Sequence, residues 1–358
     1  MVKLLVLLTM VVSAIVSGVT WWRDHPEAGR FRVEGTQIIG PDDEPFVPAG
    51  VNMLGPDAFF NPSGRTAEQA EVLAEVWRAN TVRLNACLPE GCPYTGVRNT
   101  LNGDLDALVD EYTDRGLVVM IALHQVEPGT WPDDATLDRM ATWWHDVARR
   151  YADEPYVWFN LLNEPGSDEP ASRRWVDVHQ RLLSAVRSAG ARNLVVVDGT
   201  SWGQEAGGDR GADPTDPEDS AIITFGTELK GSDDAVAFSF HVYDQWGPPE
   251  TDDAGRDARM TEYVQRVHDA GHALLIGETG SPEAECCDPR SLATASAYRV
   301  AASTGIGVLA WHGQGIDGYQ LVDVDNDVSV PGMIDVGPDM VPTNLTWHGR
   351  LLWDFLHR

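Results

Sequence analysis

Short runs of β-branched and other apolar residues alternate along the chain with longer segments whose apolar positions recur every three or four residues. Runs of the first kind are typical of buried strands, and segments of the second kind are typical of amphipathic helices. The pattern predicts eight strands, at 46–52, 81–85, 118–124, 157–163, 194–198, 237–243, 273–278 and 307–311. Strands that alternate with helices in this way indicate a parallel sheet built from β-α units.

Helical patterns lie between these strands and after the last of them. They occur at 67–78, 105–115, 137–151, 172–189, 256–270, 291–303 and 347–356, whereas the segment after the fifth strand is poorly marked. Four tryptophans fall within these patterns, and we expect them to pack against the sheet: Trp143, Trp144, Trp175 and Trp353.

Eight β-α units in one chain of this length predict an α/β fold, a (β/α)8 TIM barrel. Residues 31–39, a turn at 40–44 and the following strand predict an N-terminal β-hairpin that caps the bottom of the barrel. An open doubly wound sheet is the alternative. The segment Gly50-Val51-Asn52-Met53-Leu54-Gly55 does not match the glycine-rich phosphate turn that such a sheet usually carries after its first strand.

The amino terminus has the pattern of a targeting segment. Lys3 precedes a run at 4–19 without a charged residue, and the small residues Ser17 and Gly18 could host cleavage. We expect residues 1–20 to be a secretory signal peptide, with an uncleaved membrane anchor as the alternative. Residues 21–358 then form one domain, secreted or facing outward from a membrane.

Charge excludes one class of partner. The 358 residues include 55 Asp and Glu against 26 Lys and Arg, which gives a formal net charge of -29. Such a field repels phosphate backbones, so we expect no binding to nucleic acid. The acidic residues are scattered and fit a solubilising surface, and we expect a monomer.

Four cysteines, Cys87, Cys92, Cys286 and Cys287, could form disulfides in an oxidising compartment. Three connectivities are open to them. A zinc site is the competing interpretation, but no CxxC motif or neighbouring His pair supports it.

Polar residues interrupt the apolar strands at or just beyond their carboxyl ends. They are Arg83, His124, Asn163, Glu164, His241, Tyr243, Glu278 and Trp311. Catalytic residues of TIM barrels gather at this end, so we expect the eight to converge on one site. Any one of these residues could equally be a loop side chain whose hydrogen bonds are satisfied. All eight, however, are predicted at the same end of the barrel.

Glu164 and Glu278 form a pair of carboxyl groups suited to the cleavage of a glycosidic bond, in which one protonates the leaving oxygen and the other attacks or activates water. Arg83 and Tyr243 could keep one carboxylate ionised while its partner holds a proton. A metal site that includes His124 and His241 is the rival use of these acids. Arg83 and Trp311 suit a sugar pocket better, so we expect neither a metal nor a cofactor.

The ordered set Asn163-Glu164-Pro165, Phe240-His241-Val242-Tyr243, Ile276-Gly277-Glu278 and Trp311 resembles glycoside hydrolase family 5, which belongs to a clan of retaining barrels and includes cellulases and β-mannanases. The match runs from the hairpin to the carboxyl terminus. The Asn-Glu-Pro tripeptide alone is moderately specific, and the ordered set is far more so.

The resemblance implies a role for each residue of the set. Glu164 would be the acid/base, and Glu278 the nucleophile that forms a glycosyl-enzyme intermediate. Asn163 would bond the sugar 2-hydroxyl, and Arg83 and Tyr243 would hold Glu278. His124 and His241 would line the cleavage subsite, and Trp311 would stack beneath the sugar ring.

Other aromatic residues bear on the substrate. Trp202 and Gln204 look similar to the segment after the fifth strand of bacterial β-mannanases, which favours mannan. Trp131, Trp202 and Trp246 lie in predicted loops, where we expect them to stack on sugar rings. Thr279 after Glu278, and His312 after Trp311, depart from the family pattern and leave the substrate open.

Together these features predict a secreted, retaining endo-β-1,4-glycanase that hydrolyses β-mannan or a cellulose-like β-glucan. Its partner would be a polysaccharide or oligosaccharide substrate. Two alternatives remain: an exo-acting β-glycosidase, and a non-catalytic carbohydrate-binding barrel.

Overall fold

A closed barrel of eight parallel strands dominates the computed structural model, and helices lie between successive strands. The structure describes residues 29–54, 70–88, 103–166, 172–205, 216, 219–282, 288–313, 319–323 and 342–358. The barrel strands are β3 (Ala49–Leu54), β4 (Thr81–Ala86), β5 (Val118–Leu123), β6 (Val157–Asn160), β7 (Val195–Asp198), β8 (Val236–Val242), β9 (Leu274–Thr279) and β10 (Gly307–Ala310). The predicted (β/α)8 TIM barrel is confirmed.

Helices in the described residues pack around this barrel. They are α1 (Gly103–Thr113), α2 (Asp134–Arg150), α3 (Arg173–Ser188), α4 (Ala221–Lys230), α5 (Asp253–Asp269), α6 (Pro289–Thr304) and α7 (Trp347–Leu356). A π-helical turn, Val72–Val76, stands between β3 and β4, and a 3-10 turn, Asp244–Trp246, follows β8. As predicted, Trp143, Trp144 and Trp175 are buried and Trp353 packs against the core.

The helix that the sequence marks poorly is α4. The Ser220 side chain caps its amino terminus by accepting a hydrogen bond from the Ile223 N–H at 3.1 Å. Gly226 in its interior lies so close to His272 that a Cβ atom would come within 2.7 Å of the imidazole. Close packing therefore requires a residue with poor helix propensity, which obscures the helical pattern in the sequence.

Some predicted boundaries shift. The first barrel strand begins at Ala49 rather than at residue 46, because Pro48 has no N–H to contribute to the strand ladder. The fourth ends at Asn160 rather than at residue 163, where the chain turns into the loop that carries Glu164.

The predicted N-terminal hairpin is confirmed, but its turn was misplaced. Strands β1 (Arg32–Glu34) and β2 (Gln37–Ile39) pair antiparallel around a tight turn at Gly35, where φ is 62°. The turn predicted at 40–44 comes after this hairpin and joins it to Pro45 through an isolated bridge with Ile39. Glycine is the residue that takes a positive φ without strain, and this places the tighter turn at Gly35.

The hairpin closes the amino-terminal end of the barrel with apolar side chains. Phe31 makes edge-to-face contacts with Phe46, Tyr156 and Trp158, at centroid distances of 4.9, 5.5 and 4.9 Å. Ile38 joins the same cluster, which includes inward-facing residues of β5, β6, β7 and β9. The bottom of the barrel is therefore a packed core rather than a channel.

The barrel interior changes from apolar to polar along its axis. Side chains two residues apart on a strand face the same side, so Asn160 follows Trp158 on the inner face of β6, and Asp198 follows Val196 on that of β7. Trp158 and Val196 belong to the apolar bottom cluster. The polar layer therefore lies at the carboxyl-terminal end of the strands.

Several predictions fall on residues outside those that the structure describes. The proposed signal segment at 1–20 and three of the cysteines, Cys92, Cys286 and Cys287, are among them. Cys87 is buried directly after β4, and disulfide pairing stays a prediction. Within the described ranges, no helix has the length and apolar character needed to cross a membrane.

We expect Phe31→Ala to destabilise the barrel strongly, because it leaves a cavity beneath Trp158. By analogy with buried Phe→Ala substitutions, the loss should be about 3–5 kcal/mol of the free energy of unfolding. Urea denaturation would measure it as a lower midpoint with an unchanged slope. Val47→Ala, at a side chain that is 40% exposed, is the control and should change the midpoint little. Equal midpoints for both variants would show that the hairpin does not seal the barrel.

Candidate active site

The predicted polar residues surround one cavity at the carboxyl-terminal end of the barrel. The cavity has a volume of about 500 Å³. Seven of the nine predicted site residues line it: His124, Asn163, Glu164, Trp202, Tyr243, Glu278 and Trp311. The other two, Arg83 and His241, are fully buried and contact the carboxyl groups from inside the barrel.

The carboxylate of Glu278 in β9 is held at both of its oxygens. Arg83 Nη1 donates to Oε1 at 2.5 Å, and the Tyr243 hydroxyl donates to Oε2 at 2.9 Å. Burial and the charge of Glu278 raise the pKa of Tyr243 well above its ordinary value, so this hydroxyl keeps its proton. The two donors bind different oxygens and so hold the carboxylate in one orientation.

The Arg83 guanidinium uses all five of its N–H groups inside the barrel. Its acceptors are Asn160 at 2.9 Å, Asn52 at 2.8 Å, Glu278 at 2.5 Å, Asn163 at 2.7 Å and Asp198 at 3.3 Å. These residues come from β3, β6, β7 and β9 and from the loop after β6. Arg83 therefore fixes the spacing of side chains around most of the barrel.

The His241 imidazole lies between the carboxyl groups of Glu164 and Asp198. Its Nδ1 is 2.8 Å from Glu164 Oε1, and its Nε2 is 3.4 Å from Asp198 Oδ2. Burial alone would lower the pKa of His241, but the charges of Glu278 and Asp198 raise it to about 10. Burial would likewise raise the pKa of Asp198, but His241 and Arg83 hold it below the ordinary range. His241 is therefore a cation and Asp198 an anion at neutral pH.

Glu164 differs from the other two carboxyl groups. Burial and the nearby charge of Glu278 raise its pKa to about 7, and the hydrogen bond from His241 offsets only part of this effect. Two buried cations, Arg83 and His241, already balance the two anions, Asp198 and Glu278. An ionised Glu164 would be an uncompensated buried charge, so the protonated form is favoured below pH 7.

The backbone holds Glu164 in an uncommon conformation. Its φ is 47°, in the left-handed region that few non-glycine residues adopt. Its carbonyl accepts from the Gly129 N–H at 2.9 Å, and its N–H donates to Asp198 at 3.4 Å. These contacts fix the direction of the side chain towards Glu278. One oxygen of Glu164 and one of Glu278 lie within 4.8 Å of each other.

Glu164, His241 and Glu278 also have the spacing of a metal site, since one ligand atom from each lies within 4.8 Å of the others. Their protonation states do not fit this use. A protonated imidazole has no lone pair to offer a metal, and metal binding would have to displace its proton. Both Glu278 oxygens already accept hydrogen bonds. The cluster of Glu164, His241 and Glu278 is therefore better suited to proton transfer than to metal binding.

A bulge in β9 aligns two of these groups. Phe240 of β8 pairs with Ile276, whereas the next residue, His241, pairs with Glu278, so Gly277 is the extra residue. A Cβ atom at Gly277 would lie 2.3 Å from the Ser239 hydroxyl oxygen and 3.1 Å from His241 Nε2. A side chain there would collide with β8, so the bulge requires glycine.

Aromatic side chains form part of the cavity wall. Trp311 stacks near His124 at a centroid distance of 6.3 Å, and Trp202 is half-buried in the loop after β7. Burial and the charge of Arg83 hold the pKa of His124 well below its ordinary value, so that ring is neutral. Neutral rings present apolar faces that suit the faces of sugars.

The expectation that Trp246 and Trp131 stack on sugars is not supported. Trp246 is 1% exposed, packs against Phe240 and Tyr263, and donates its indole N–H to the Gln204 carbonyl at 2.9 Å. Trp131 packs against Gly166 and does not line the cavity. Loop position alone did not show that both rings fold back onto the barrel.

Several residues of the site were not predicted from the sequence. Asn52, Asn160 and Asp198 bind Arg83 from below the cavity, and Arg290 and Tyr319 line it and are joined by a 2.7 Å hydrogen bond. Asp198 carries a detectable signal, because it is a charge that ends the apolar strand β7. Tyr319 carries none, since it follows no strand.

Comparison with known proteins agrees with this architecture. The family model "Cellulase (glycosyl hydrolase family 5)" matches residues 40–315. A mannan endo-1,4-beta-mannosidase from Streptomyces lividans is 26% identical over 344 residues, which are 94% of this chain and 77% of that protein. An endoglucanase from Microbulbifer sp. is 24% identical over 223 residues, which are 62% of this chain and 40% of that protein.

Among solved structures, the catalytic domain of a mannanase from Streptomyces sp. SirexAA-E has a TM-score of 0.66 at 22% identity. The comparison covers 91% of this chain and 90% of that one, so the two share a fold. The family model spans well over half of the chain and includes the Glu164–His241–Glu278 cluster. The chain therefore belongs to glycosyl hydrolase family 5 and is a glycoside hydrolase.

Proposed function

We propose that the chain is a retaining endo-β-1,4-glycanase that hydrolyses β-mannan, with a cellulose-like β-glucan as the alternative substrate. The observation that carries the proposal is the separation of at most 4.8 Å between oxygens of Glu164 and Glu278. Retaining glycosidases have carboxyl groups about 5–5.5 Å apart, whereas inverting enzymes leave about 6.5–9.5 Å for a water molecule.

The electrostatics support different roles for the two carboxyl groups. Arg83 and Tyr243 donate to the two oxygens of Glu278 and orient the carboxylate, as a nucleophile requires. Glu164, whose pKa is raised to about 7, holds the proton that a general acid must donate. Environments that differ in this way are the usual means of giving two carboxyl groups separate tasks.

In the first step, a Glu278 oxygen attacks the anomeric carbon and the bond from that carbon to the leaving oxygen breaks. Glu164 transfers its proton to this oxygen, which departs as a hydroxyl group. In the second step, Glu164 removes a proton from water, and the water oxygen displaces Glu278 from the anomeric carbon. The product keeps the configuration of the substrate, and both carboxyl groups return to their starting states.

The surrounding side chains fit a sugar at the cleavage point. Asn163 lines the cavity while its carboxamide oxygen accepts from Arg83, which leaves its amino group as the donor for a sugar hydroxyl. Trp311 and Trp202 supply aromatic walls. His124 is neutral and His241 supports Glu164 from beneath, so His241 acts on the acid rather than by lining the cavity.

The choice of mannan rests on the relatives and on the loop after β7. The Streptomyces lividans relative that aligns over most of this chain is named a mannan endo-1,4-beta-mannosidase. Trp202 and Gln204, the pair that resembles bacterial β-mannanases, both line the cavity. The same relative's name supports endo action over the exo alternative. Export and a monomeric state are proposed on the sequence pattern alone.

The mechanism predicts that both carboxyl groups are essential. Glu278→Ala should abolish turnover, and Glu164→Gln should lower kcat by about 10²–10⁴-fold, because a positioned acid contributes that much. Reducing-sugar release from mannan measures both. Glu228→Gln, at an exposed carboxylate paired with Arg173, is the matched control and should retain full activity. Near-normal release by Glu278→Ala would refute the nucleophile assignment.

A covalent intermediate should accumulate when the acid/base is removed but the leaving group needs no proton. We expect Glu164→Ala, incubated with a 2,4-dinitrophenyl β-mannoside, to release dinitrophenol in a burst. Peptide mass spectrometry should then find the sugar on Glu278. No burst and an inverted product would indicate single displacement.

The pH dependence follows from Glu164. Its carboxyl group is protonated below its pKa of about 7, so general-acid catalysis is present at lower pH and is lost as the pH rises. The value of kcat/KM should fall about tenfold per pH unit above this point, because one proton is lost from the free enzyme. A profile that stays flat from pH 7 to pH 9 would contradict this assignment.

Substrate choice is tested by initial rates on mannan, carboxymethyl cellulose, xylan and mixed-linkage glucan. We expect mannan to be hydrolysed fastest and internal cleavage to release oligosaccharides of several lengths. Release of one short product from the chain end would support the exo-acting alternative. Binding without hydrolysis of any of the four would support a carbohydrate-binding barrel.

A further inference from the structure

The loop after β7 has an unusual backbone. Ser201, Trp202, Gly203 and Glu205 all have φ values between 55° and 70°. Three of these residues are not glycine, and each pays a conformational cost in the left-handed region. Such a loop keeps its shape only where contacts outside the local backbone fix it.

The carboxyl group of Glu205 supplies these contacts from the inside. Its Oε1 accepts from the Thr200 N–H at 2.8 Å. Its Oε2 accepts from the Ser220 hydroxyl and from the Ile222 N–H at the amino terminus of α4. The side chain is completely buried and does not line the cavity. Glu205 therefore ties the loop to a helix without facing the substrate.

Burial raises the pKa of Glu205 to about 7, and the hydrogen bonds from Ser220 and from the Thr200 and Ile222 N–H groups oppose that rise. The space around the side chain is fully used. A Cβ atom on Gly199 would come within 2.3 Å of the Glu205 side chain. Burying a carboxyl group costs free energy unless hydrogen bonds compensate for the lost water, so these contacts are needed to hold Glu205 in place.

The loop presents two side chains to the cavity and supports a third. The Trp202 ring lies against Gly129, where a Cβ atom would come within 2.5 Å of the indole. The Gln204 side chain lines the cavity, and its buried carboxamide oxygen has no hydrogen-bond partner among the described residues. Gly203 lies against the His241 ring, and its carbonyl oxygen accepts a hydrogen bond from the His241 backbone N–H at 2.8 Å.

We propose that Glu205 is a positioning residue, which fixes the 199–205 loop so that Trp202 and Gln204 form a rigid wall for glycan binding. Trp202 supplies the aromatic face of this wall, and the Gln204 side chain supplies a polar one. The effect of this wall on glycan binding rests on the proposed function, whereas the anchoring of the loop by Glu205 does not. Pre-ordering this wall removes part of the entropy cost of binding.

The test compares Glu205→Ala and Glu205→Gln with Asp233→Asn. Asp233 is also a largely buried acid that binds a backbone N–H and a side chain, but it lies at the opposite end of β8. Amide hydrogen exchange of residues 199–205 reports on the loop without requiring activity. We expect faster exchange there in Glu205→Ala, a smaller effect in Glu205→Gln, which keeps one acceptor oxygen, and no change in Asp233→Asn.

Kinetics on mannohexaose separate positioning from general destabilisation. We expect Glu205→Ala to raise KM about tenfold and to change kcat by less than about threefold, because the wall binds substrate without taking part in bond cleavage. The basic limb of the pH profile should stay in place, since Glu164 is untouched. In a Trp202→Ala and Gln204→Ala background, Glu205→Ala should add little to KM.

Unchanged exchange in Glu205→Ala would overturn the proposal. Faster exchange with unchanged KM would overturn it as well, as would a KM effect that persists in full without Trp202 and Gln204. If the wild-type protein cleaves none of the glycans, the proposed function fails. The exchange data would still decide whether Glu205 holds the loop.

Discussion

The site depends on one buried cation, the guanidinium of Arg83. A fully buried charge is costly unless it is paired and hydrogen-bonded, and all five N–H groups of Arg83 meet acceptors. To meet this requirement, side chains from strands on both sides of the barrel must converge on the guanidinium. The same cation, together with His241, balances Asp198 and Glu278. The balance leaves no compensating charge for Glu164, and this explains how one network keeps one carboxyl group ionised and another protonated.

Apolar side chains fill the barrel beneath the polar network. Phe31 and Ile38 of the hairpin close the amino-terminal end and pack on Trp158 and its neighbours. Interactions among charges are stronger where water is excluded, and their geometry is then set by the strands rather than by solvent. The apolar half of the barrel therefore supports stability, and the polar half supports chemistry. The hairpin, although far from the cavity, contributes to both.

The loops at the carboxyl-terminal end of the barrel position side chains that do not lie on a strand. Glu164 is aimed by a left-handed backbone that Gly129 and Asp198 hold in place. Trp202 stands in a loop of similar strain, held by Glu205. In both cases a buried acid outside the cavity fixes a residue that lines it. The contacts of Glu164 run to Gly129 and Asp198, and those of Glu205 run to the start of helix α4.

The barrel, and most of the side chains that line its cavity, could be predicted from local sequence patterns. Apolar runs mark buried strands, and a polar residue at the end of such a run, as at Arg83 or Glu278, marks the functional face. Local patterns could not show which loop tryptophans fold inward, since Trp202 and Trp246 differ only in their long-range packing. Nor could they distinguish the roles of Asp198 and Glu164. Those roles follow from the separation of charges and from burial, which exist only after distant strands have been brought together.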